Sequence, residues 1–482
     1  MKRAKHPTFI AELPLSVSEE TDRQLCARLL AGTRLYNATL GEALRRLDLM
    51  RESKAWQAAR KRKSKDRTEA FRKTIKKAGF TSTSVSAFAT NCKNQAGWKD
   101  RLSANETQRI AETAFDAAEQ YSYGKRGRPR FKNARRPLKS FSGKTNKAGI
   151  RYRPELGIVE WSGLVMTAKY PPAGKDKWLE AALGSTTKFC RILWRNIKGK
   201  RRWYLQLAQA GRSPTKEKNT TQPGCEVGLD VGPSTVAVVS ESGADLLGFC
   251  PTIRQPWKEM RRIQRAMDRS RRATNPHCFN VNGTWKRGAK VKVTSKHYLA
   301  LKASLAEAER KMTAERKRSQ GELVNSVIRL GNVVKTEKLS YRAWQKLYGK
   351  SVKVKAPGVF IERLKRKAES AGGQLNELDT WSLKMSQYDH VSGQYNKKHL
   401  SERWHILGGK TAEKALLIQR DMYSAFLALC VIENEHQSSQ LRERWPVVKQ
   451  LLEQAGWCRQ IQVASGEAIV FPTVKPSERL AC

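Results

Sequence analysis

The chain has 482 residues and carries 93 Lys and Arg against 44 Asp and Glu, a formal net charge of +49. Domains usually run to about 150 residues, so two to four are expected. The hydrophobic fraction of 39% can still build real cores, which excludes a wholly disordered chain. No run approaches the ~18 apolar residues of a spanning helix, which excludes an integral membrane protein of that kind. No long apolar segment follows the basic start, Met1–Pro7, so no secretory leader is expected.

So large a surplus repels itself unless a polyanion neutralises it. It is spread along the chain rather than gathered in one tail, which favours nucleic acid over an anionic membrane as partner. The nine cysteines are odd in number, irregularly spaced and never in a CxxC pair. A disulfide framework is not expected, and a reducing, cytoplasmic setting fits.

Residues 8–16 read as a short strand, and 19–119 as mostly helical, with Leu25, Leu29, Leu30 and Leu35 at helical spacing. Residues 51–77 hold twelve Lys and Arg against three acids. Within them Arg60, Lys61, Arg62 and Lys63 are candidate phosphate contacts, the alternative being a solvated helix face. Residues 124–139 hold eight basic residues and no acid, and their Gly and Pro make them an extended loop. Arg126, Arg128, Arg130 and Lys132 are its candidate nucleic-acid contacts, the alternative being a solvated linker. Residues 148–212 turn β-rich, with strands expected at 157–161, 189–194 and 202–207 and a turn at 196–200. The polar stretch 211–224 is the best linker.

The second half alternates strands and helices, which argues for an α/β domain. Strands are expected at 227–231, 235–239, 246–249, 333–337 and 374–378. A basic helix spans 254–272 with candidate contacts Arg261, Arg262 and Arg265, and long helices are expected over 296–330 and 359–370. Residues 384–410 read as irregular, and a last helix is expected from 414 to 432. Three acids stand out. Asp230 lies in an apolar strand, Glu337 ends another, and Asp421 lies in the last helix. A buried carboxylate is costly unless it is paired or metal-bound. Three that converge suit Mg²⁺ or Mn²⁺, which prefer oxygen ligands. Such ions activate water and stabilise the leaving oxygen in phosphodiester hydrolysis. For any single acid among 44, a salt-bridged structural role is the alternative.

GLDVGPSTVAVVS around Asp230, VVKTEKLSY around Glu337 and QRDMYSA around Asp421 resemble the three RuvC motifs of the transposon-encoded TnpB nucleases and of the compact type V CRISPR effectors derived from them. Gly127-Arg128-Pro129-Arg130-Phe131-Lys132 is similar to a GxPxFK-type element of the N-terminal half of TnpB proteins. The resemblance covers most of residues 1–435. It implies an α/β RNase H-like (RuvC) nuclease domain, an N-terminal helical recognition domain and a β-rich, barrel-like wedge domain. The implied layout is wedge strand 1–17, recognition domain 18–123, wedge 124–212, linker 213–224, RuvC-like 225–383, insertion 384–410, RuvC-like 411–435 and a C-terminal segment 436–482. It also implies catalytic, metal-holding roles for Asp230, Glu337 and Asp421 with Mg²⁺ or Mn²⁺. The partners implied are a guide RNA and target double-stranded DNA, in a monomeric ribonucleoprotein of a prokaryotic cytoplasm. The activity implied is RNA-guided DNA cleavage, by a transposon-encoded or CRISPR effector.

Two features depart from the family pattern. The usual four-cysteine zinc site is replaced by Asp389, Ser392, His405 and Gly408, so no structural zinc is expected. His390, His399 and His405 are expected to be solvated or hydrogen-bonded loop residues. The Asn that usually follows the third acid by two residues is Tyr423. Competing readings are an RNA-guided DNA-binding protein with weak or no cleavage, a transposase acting at transposon ends without RNA, and a general RNA-binding protein. The intact triad favours cleavage.

Overall fold

The structure, a computed structural model, describes residues 7–133, 137–253, 257–397, 399, 401–408, 414–462, 471–473 and 476. Residues 134–136 of the basic loop, 254–256 ahead of the basic helix and 409–413 after the insertion lie outside them. Two compact units divide at Pro214, inside the polar stretch.

In unit 1 the strand β1 (Thr8–Ser16) leads into α1 (Glu19–Glu52), whose first turn is acidic and capped by Ser18. Both features complement the positive end of the helix. There follow α2 (Lys54–Lys61), α3 (Ser64–Lys77), α4 (Ser82–Gln95) and α5 (Ala104–Ser122), the last opened by a Ser103–Glu106 capping box. The β-rich part holds β2 (Ser140–Ser142), β3 (Ile150–Arg153), β4 (Ile158–Trp161), β5 (Leu164–Ala168), α6 (Lys177–Leu183), β6 (Thr187–Ile197) and β7 (Lys200–Ala210). They join β1 in a seven-stranded, barrel-like sheet of order β2-β6-β7-β1-β5-β4-β3. β1 pairs with β7 up to Pro14 and with β5 from Leu15. The imide thus stands where the strand changes partner and a missing N–H is tolerated. Buried Arg28 fastens α1 to this sheet, donating to the carbonyls of Trp161 (2.8 Å) and Ser162 (2.7 Å) with its guanidinium over the Trp161 ring.

Unit 2 begins with β8 (Glu226–Val231), β9 (Thr235–Ser240) and β10 (Gly243–Gly248). The basic α7 (Trp257–Thr274) and long α8 (Lys296–Leu330) precede β11 (Val333–Glu337), α9 (Tyr341–Lys355), α10 (Pro357–Ser370) and β12 (Gln374–Leu378). The sheet order is β10-β9-β8-β11-β12: an antiparallel meander, then two strands parallel to β8. This is the mixed α/β sheet expected of the second half.

Alternation along β8 splits the unit into two cores. Val227, Leu229 and Val231 belong with Leu323, Val327 and Ile328 of α8 and Phe360 and Leu364 of α10. The opposite face is covered by the helix that follows the insertion. That insertion is partly regular. After α11 (Thr380–Leu383) it holds the ribbon β13 (Tyr388–Asp389) and β14 (Gln394–Tyr395), and β15 (Trp404–Leu407).

The sequence expectation fails at 414–432. Lys414–Gln419 is a strand, β16, paired with β15, and only Arg420–Cys430 is helical, as α12. The short apolar stretches on either side of Gln419-Arg420-Asp421 suit a buried strand and a buried helix equally. Gln419 separates them by accepting the Met422 N–H (2.7 Å) as a helix cap. Residues 436–462, for which the sequence offered no role, are structured: β17 (Val431–Ile432) and β18 (Glu435–His436) make a tight ribbon, then come α13 (Ser438–Gln454) and β19 (Cys458–Gln462). β19 pairs with β16.

α12 lies directly on β8. A Cβ built at Gly228 would stand 2.0 Å from the Ala425 carbonyl oxygen and 2.6 Å from the Leu429 nitrogen, so only glycine admits the helix there. Gly228→Ala forces backbone against backbone, and overpacking of this kind costs about 3 kcal/mol. We expect that loss, read from the urea unfolding midpoint, to fall on unit 2.

Candidate active site

β11 runs parallel to β8 with Thr336 opposite Leu229, so the next residue on each strand is Glu337 and Asp230. Neighbouring strands lie ~4.8 Å apart, and equivalent positions share a face. Gly228, two residues before Asp230, bears on Ala425, and Asp421 lies one turn earlier on α12. Asp421 is therefore in the first turn of the helix rather than its middle, and faces the strand ends that carry the other two acids. Residues separated by 191 positions in the chain are brought to one end of one sheet.

The acids feel one another. Burial raises the Asp230 carboxyl well above its usual range, the Asp421 and Glu337 carboxylates raise it further, and Arg420 and Arg403 oppose them. Burial pushes Glu337 up to about 7. Asp421 is held by two cations, Arg420 Nε at 3.5 Å and Arg403 Nη1 at 3.9 Å. Among the described residues no three His, Cys, Asp or Glu side chains already form a metal-holding cluster. The three carboxylates are within electrostatic reach without being drawn to ligand distance. Their donors are all oxygen, which fits a hard divalent cation in chemistry.

Lys335, which the sequence reading passed over, sets the geometry. It lies two residues before Glu337 on the same face of β11 and is buried. Its ammonium donates to the carbonyls of Leu429 and Val431, both at 2.9 Å, and pairs with Glu226 at 2.8 Å. The same Glu226 takes Arg444 of α13 at 2.7 Å. A cation at the carbonyl end of a helix is favoured by the helix dipole and by the orphan acceptors there. Lys335 thus fastens one end of α12 while Gly228 seats its middle, and Asp421 is delivered at the other end. The signal in the sequence is a lysine inside an apolar strand. Arg403 and Arg420 were missed as well. Arg420 is legible as the neighbour of Asp421, whereas Arg403 arrives only by folding, its carbonyl accepting the Arg420 N–H at 2.9 Å.

Hydrogen bonds organise the insertion. Buried Asp389 accepts the N–H of Val391 (2.9 Å) and of Gly408 (3.1 Å), tying together two of the positions at which the family pattern has cysteines. Tyr423 turns to this region: its hydroxyl accepts the His390 N–H at 2.9 Å and pairs with His390 Nδ1 at 2.7 Å. His390 is therefore hydrogen-bonded rather than solvated, and burial lowers its proton affinity to about 4. His399 pairs with the Ser401 hydroxyl at 2.5 Å, and His405 is buried with its ring 5.1 Å from that of Tyr423. Ser392 is exposed.

The candidate nucleic-acid contacts differ in freedom. Arg60, Lys61, Arg62 and Lys63 are exposed where α2 ends, and Arg261, Arg262 and Arg265 are exposed on α7. Arg126 and Arg130 are exposed on the extended loop. Arg128 is paired with Asp48 at 3.1 Å. Lys132 stands 5.3 Å over the Tyr36 ring, and its backbone exchanges two 2.8 Å bonds with Asn37, which straps the loop to α1. A cavity of ≈ 630 Å³ lies between α8 and the end of β10, lined by Arg318, Arg329 and Lys218 and by none of the three acids.

Removing the Lys335 ammonium leaves the Leu429 and Val431 carbonyls without this donor and half-buried Glu226 with Arg444 alone, and a buried acceptor left unpaired costs ~1–3 kcal/mol. Lys335→Met is expected to lose about that much in urea unfolding, with Glu226→Gln added to it recovering part of the loss. In the loop, replacing Arg126, Arg128 and Arg130 by Gln lowers the slope of log affinity against log salt. Each freed phosphate contact carries ~0.9 on duplex DNA. Because Arg128 is committed to Asp48, the expected drop is about two contacts rather than three, measured by anisotropy across a salt series.

No family model and no curated protein matches the sequence. Two solved structures are similar to the chain. A cryo-EM structure of a Cas12f1–sgRNA–target DNA complex matches with a TM-score of 0.46 and 12% identity, covering 88% of this chain and 98% of that one. A cryo-EM structure of a CRISPR-Cas12f ternary complex matches with a TM-score of 0.28 and 14% identity, covering 88% and 84%.

Proposed function

We propose that the chain is an RNA-guided DNA endonuclease with a single RuvC-like, RNase H-like site in which Asp230, Glu337 and Asp421 hold Mg²⁺ or Mn²⁺. The observation that carries this reading is the convergence of three motif acids at the strand ends beneath α12, in a chain of charge +49. A guide RNA pairs with one DNA strand, and the positive surfaces of both units hold the phosphates. Bound there, a divalent cation supplies water activation and charge neutralisation at the scissile phosphate.

The protein residues do the rest. Asp230, on the strand between β9 and β11, is the acid placed to face both other carboxylates. Glu337 would help hold the cation from the neighbouring strand and Asp421 from the helix. Arg420 and Arg403, now on Asp421, are positioned to meet the non-bridging oxygens of a phosphate that approaches the acids. Hydrolysis forms a bond from a water oxygen to phosphorus and breaks the phosphoester bond.

Asp230→Ala is expected to reduce cleavage of guide-matched DNA to background while leaving guide and target affinity within about twofold; wild-type cleavage by the variant removes this site from the reaction. The raised Glu337 adds a pH signature. Its folded form binds a proton that the unfolded chain releases near pH 4.5. Stability from this group is therefore present at low pH and fades as pH rises through about 7. Magnesium takes the place of that proton, so the Tm increase it gives is expected to be larger at about pH 8 than at about pH 6. In Glu337→Gln that difference shrinks.

A further inference from the structure

The α7–α8 connection is a built knuckle whose apolar side chains point into solvent. From Arg269 to Ala306 there are nine Lys and Arg and no carboxylate. Buried Asn275 organises it: its Oδ1 accepts the N–H of Lys292 and Val293, both at 3.1 Å, and its Nδ2 donates to the Val293 carbonyl at 2.8 Å. Buried Cys278 donates to the Lys290 carbonyl at 3.3 Å, and its own carbonyl accepts the Lys286 N–H at 2.9 Å. Phe279 and Trp285 pair as an antiparallel bridge, with Asn280 to Thr284 closing the turn at 2.8 Å.

On this frame Trp285 is 41% exposed, and Val281 at the apex has no shelter at all. Val291, Val293 and Leu299 are exposed as well. Arg272 stacks on Phe279 at 4.9 Å, and Phe279 meets Trp285 in a T-shaped contact at 5.2 Å. Trp285 is thus braced on one side and open on the other. Lys286 and Arg287 follow it directly, and Lys290 and Lys292 lie on the same frame, all exposed. A braced, open indole in a stretch of exposed cations is the combination that takes unpaired bases, through ring stacking with phosphates held at the edge.

We propose that this knuckle is a single-strand nucleic-acid site: a base stacks on Trp285 while Lys286, Arg287, Lys290 and Lys292 hold the flanking phosphates. The inference rests on the nucleic-acid part of the proposed function and is independent of cleavage. The shared chemistry is an unpaired base on a phosphodiester chain, and its source is RNA or displaced DNA strand.

The test uses the full chain with labelled oligouridine, oligothymidine and a fully paired duplex. Trp285→Ala is expected to weaken single-strand binding about tenfold with an unchanged salt slope, and Trp285→Phe to stay within about twofold. The Gln quadruple variant at positions 286, 287, 290 and 292 is expected to lower the salt slope by roughly 0.7 per contact. Oligonucleotides carrying a thiocarbonyl base are expected to crosslink within residues 279–299. The RNA and DNA arms identify the source by which one loses more. The inference is overturned if Trp285→Ala leaves single-strand affinity unchanged, if duplex binding falls equally, if no crosslink maps to the knuckle, or if it is phosphatidylserine vesicles whose binding depends on Trp285. Should Asp230→Ala retain the Trp285 dependence while cleavage proves to come from elsewhere, this inference stands and only the catalytic reading fails. Should cleavage follow Asp230 with Trp285→Ala neutral, the reverse holds.

Discussion

The seating of α12 on β8 is the constraint on which the candidate site depends. Three carboxylates do not gather unaided, since each additional negative charge in a sheltered place makes the next harder to ionise. The energy that brings them together comes from elsewhere: a backbone-to-backbone contact that only Gly228 permits, and a buried ammonium that closes the far end of the helix. The repulsion is concentrated at the strand ends and the compensating contacts are spread along the helix. A site built this way gathers its like charges at one end of the helix and its anchoring contacts at the other.

The same logic runs through the insertion. There Asp389 bonds two backbone amides, and His390, Tyr423 and Trp445 pack as an aromatic group beside it. Hydrophobic burial adds to these bonds, since Tyr388, Trp404 and Leu407 share one core with α12. The phenol of Tyr423 bonds His390 and belongs to this core.

Much of this was legible in the sequence, for identifiable reasons. The strand Val333–Glu337 and the helix Lys296–Leu330 were found with their bounds, because Gly331-Asn332 punctuates the chain between them. The three acids were found through motif resemblance, and their convergence follows from strand register and helix seating, which no local pattern encodes. Residues 414–432 were misread because strand and helix join there without Gly or Pro, leaving a glutamine cap as the only marker. Lys335 was overlooked because a single lysine among valines reads as an edge feature. Its partners come from 94 and 96 residues away. Arg403 is beyond reach for the same reason. Pairings of that range are decided by topology.

The C-terminal strand carries a consequence for anyone reshaping this protein. β16 has β15 on one side and β19 on the other, and Arg444 of α13 neutralises the glutamate that Lys335 shares. Trimming the gene after residue 435 to make a smaller tool would uncover a sticky strand edge and leave that glutamate with Lys335 as its one remaining partner of the two. A cargo fused beyond residue 462 leaves both intact, which makes that end, and not the shortened one, the place to attach it.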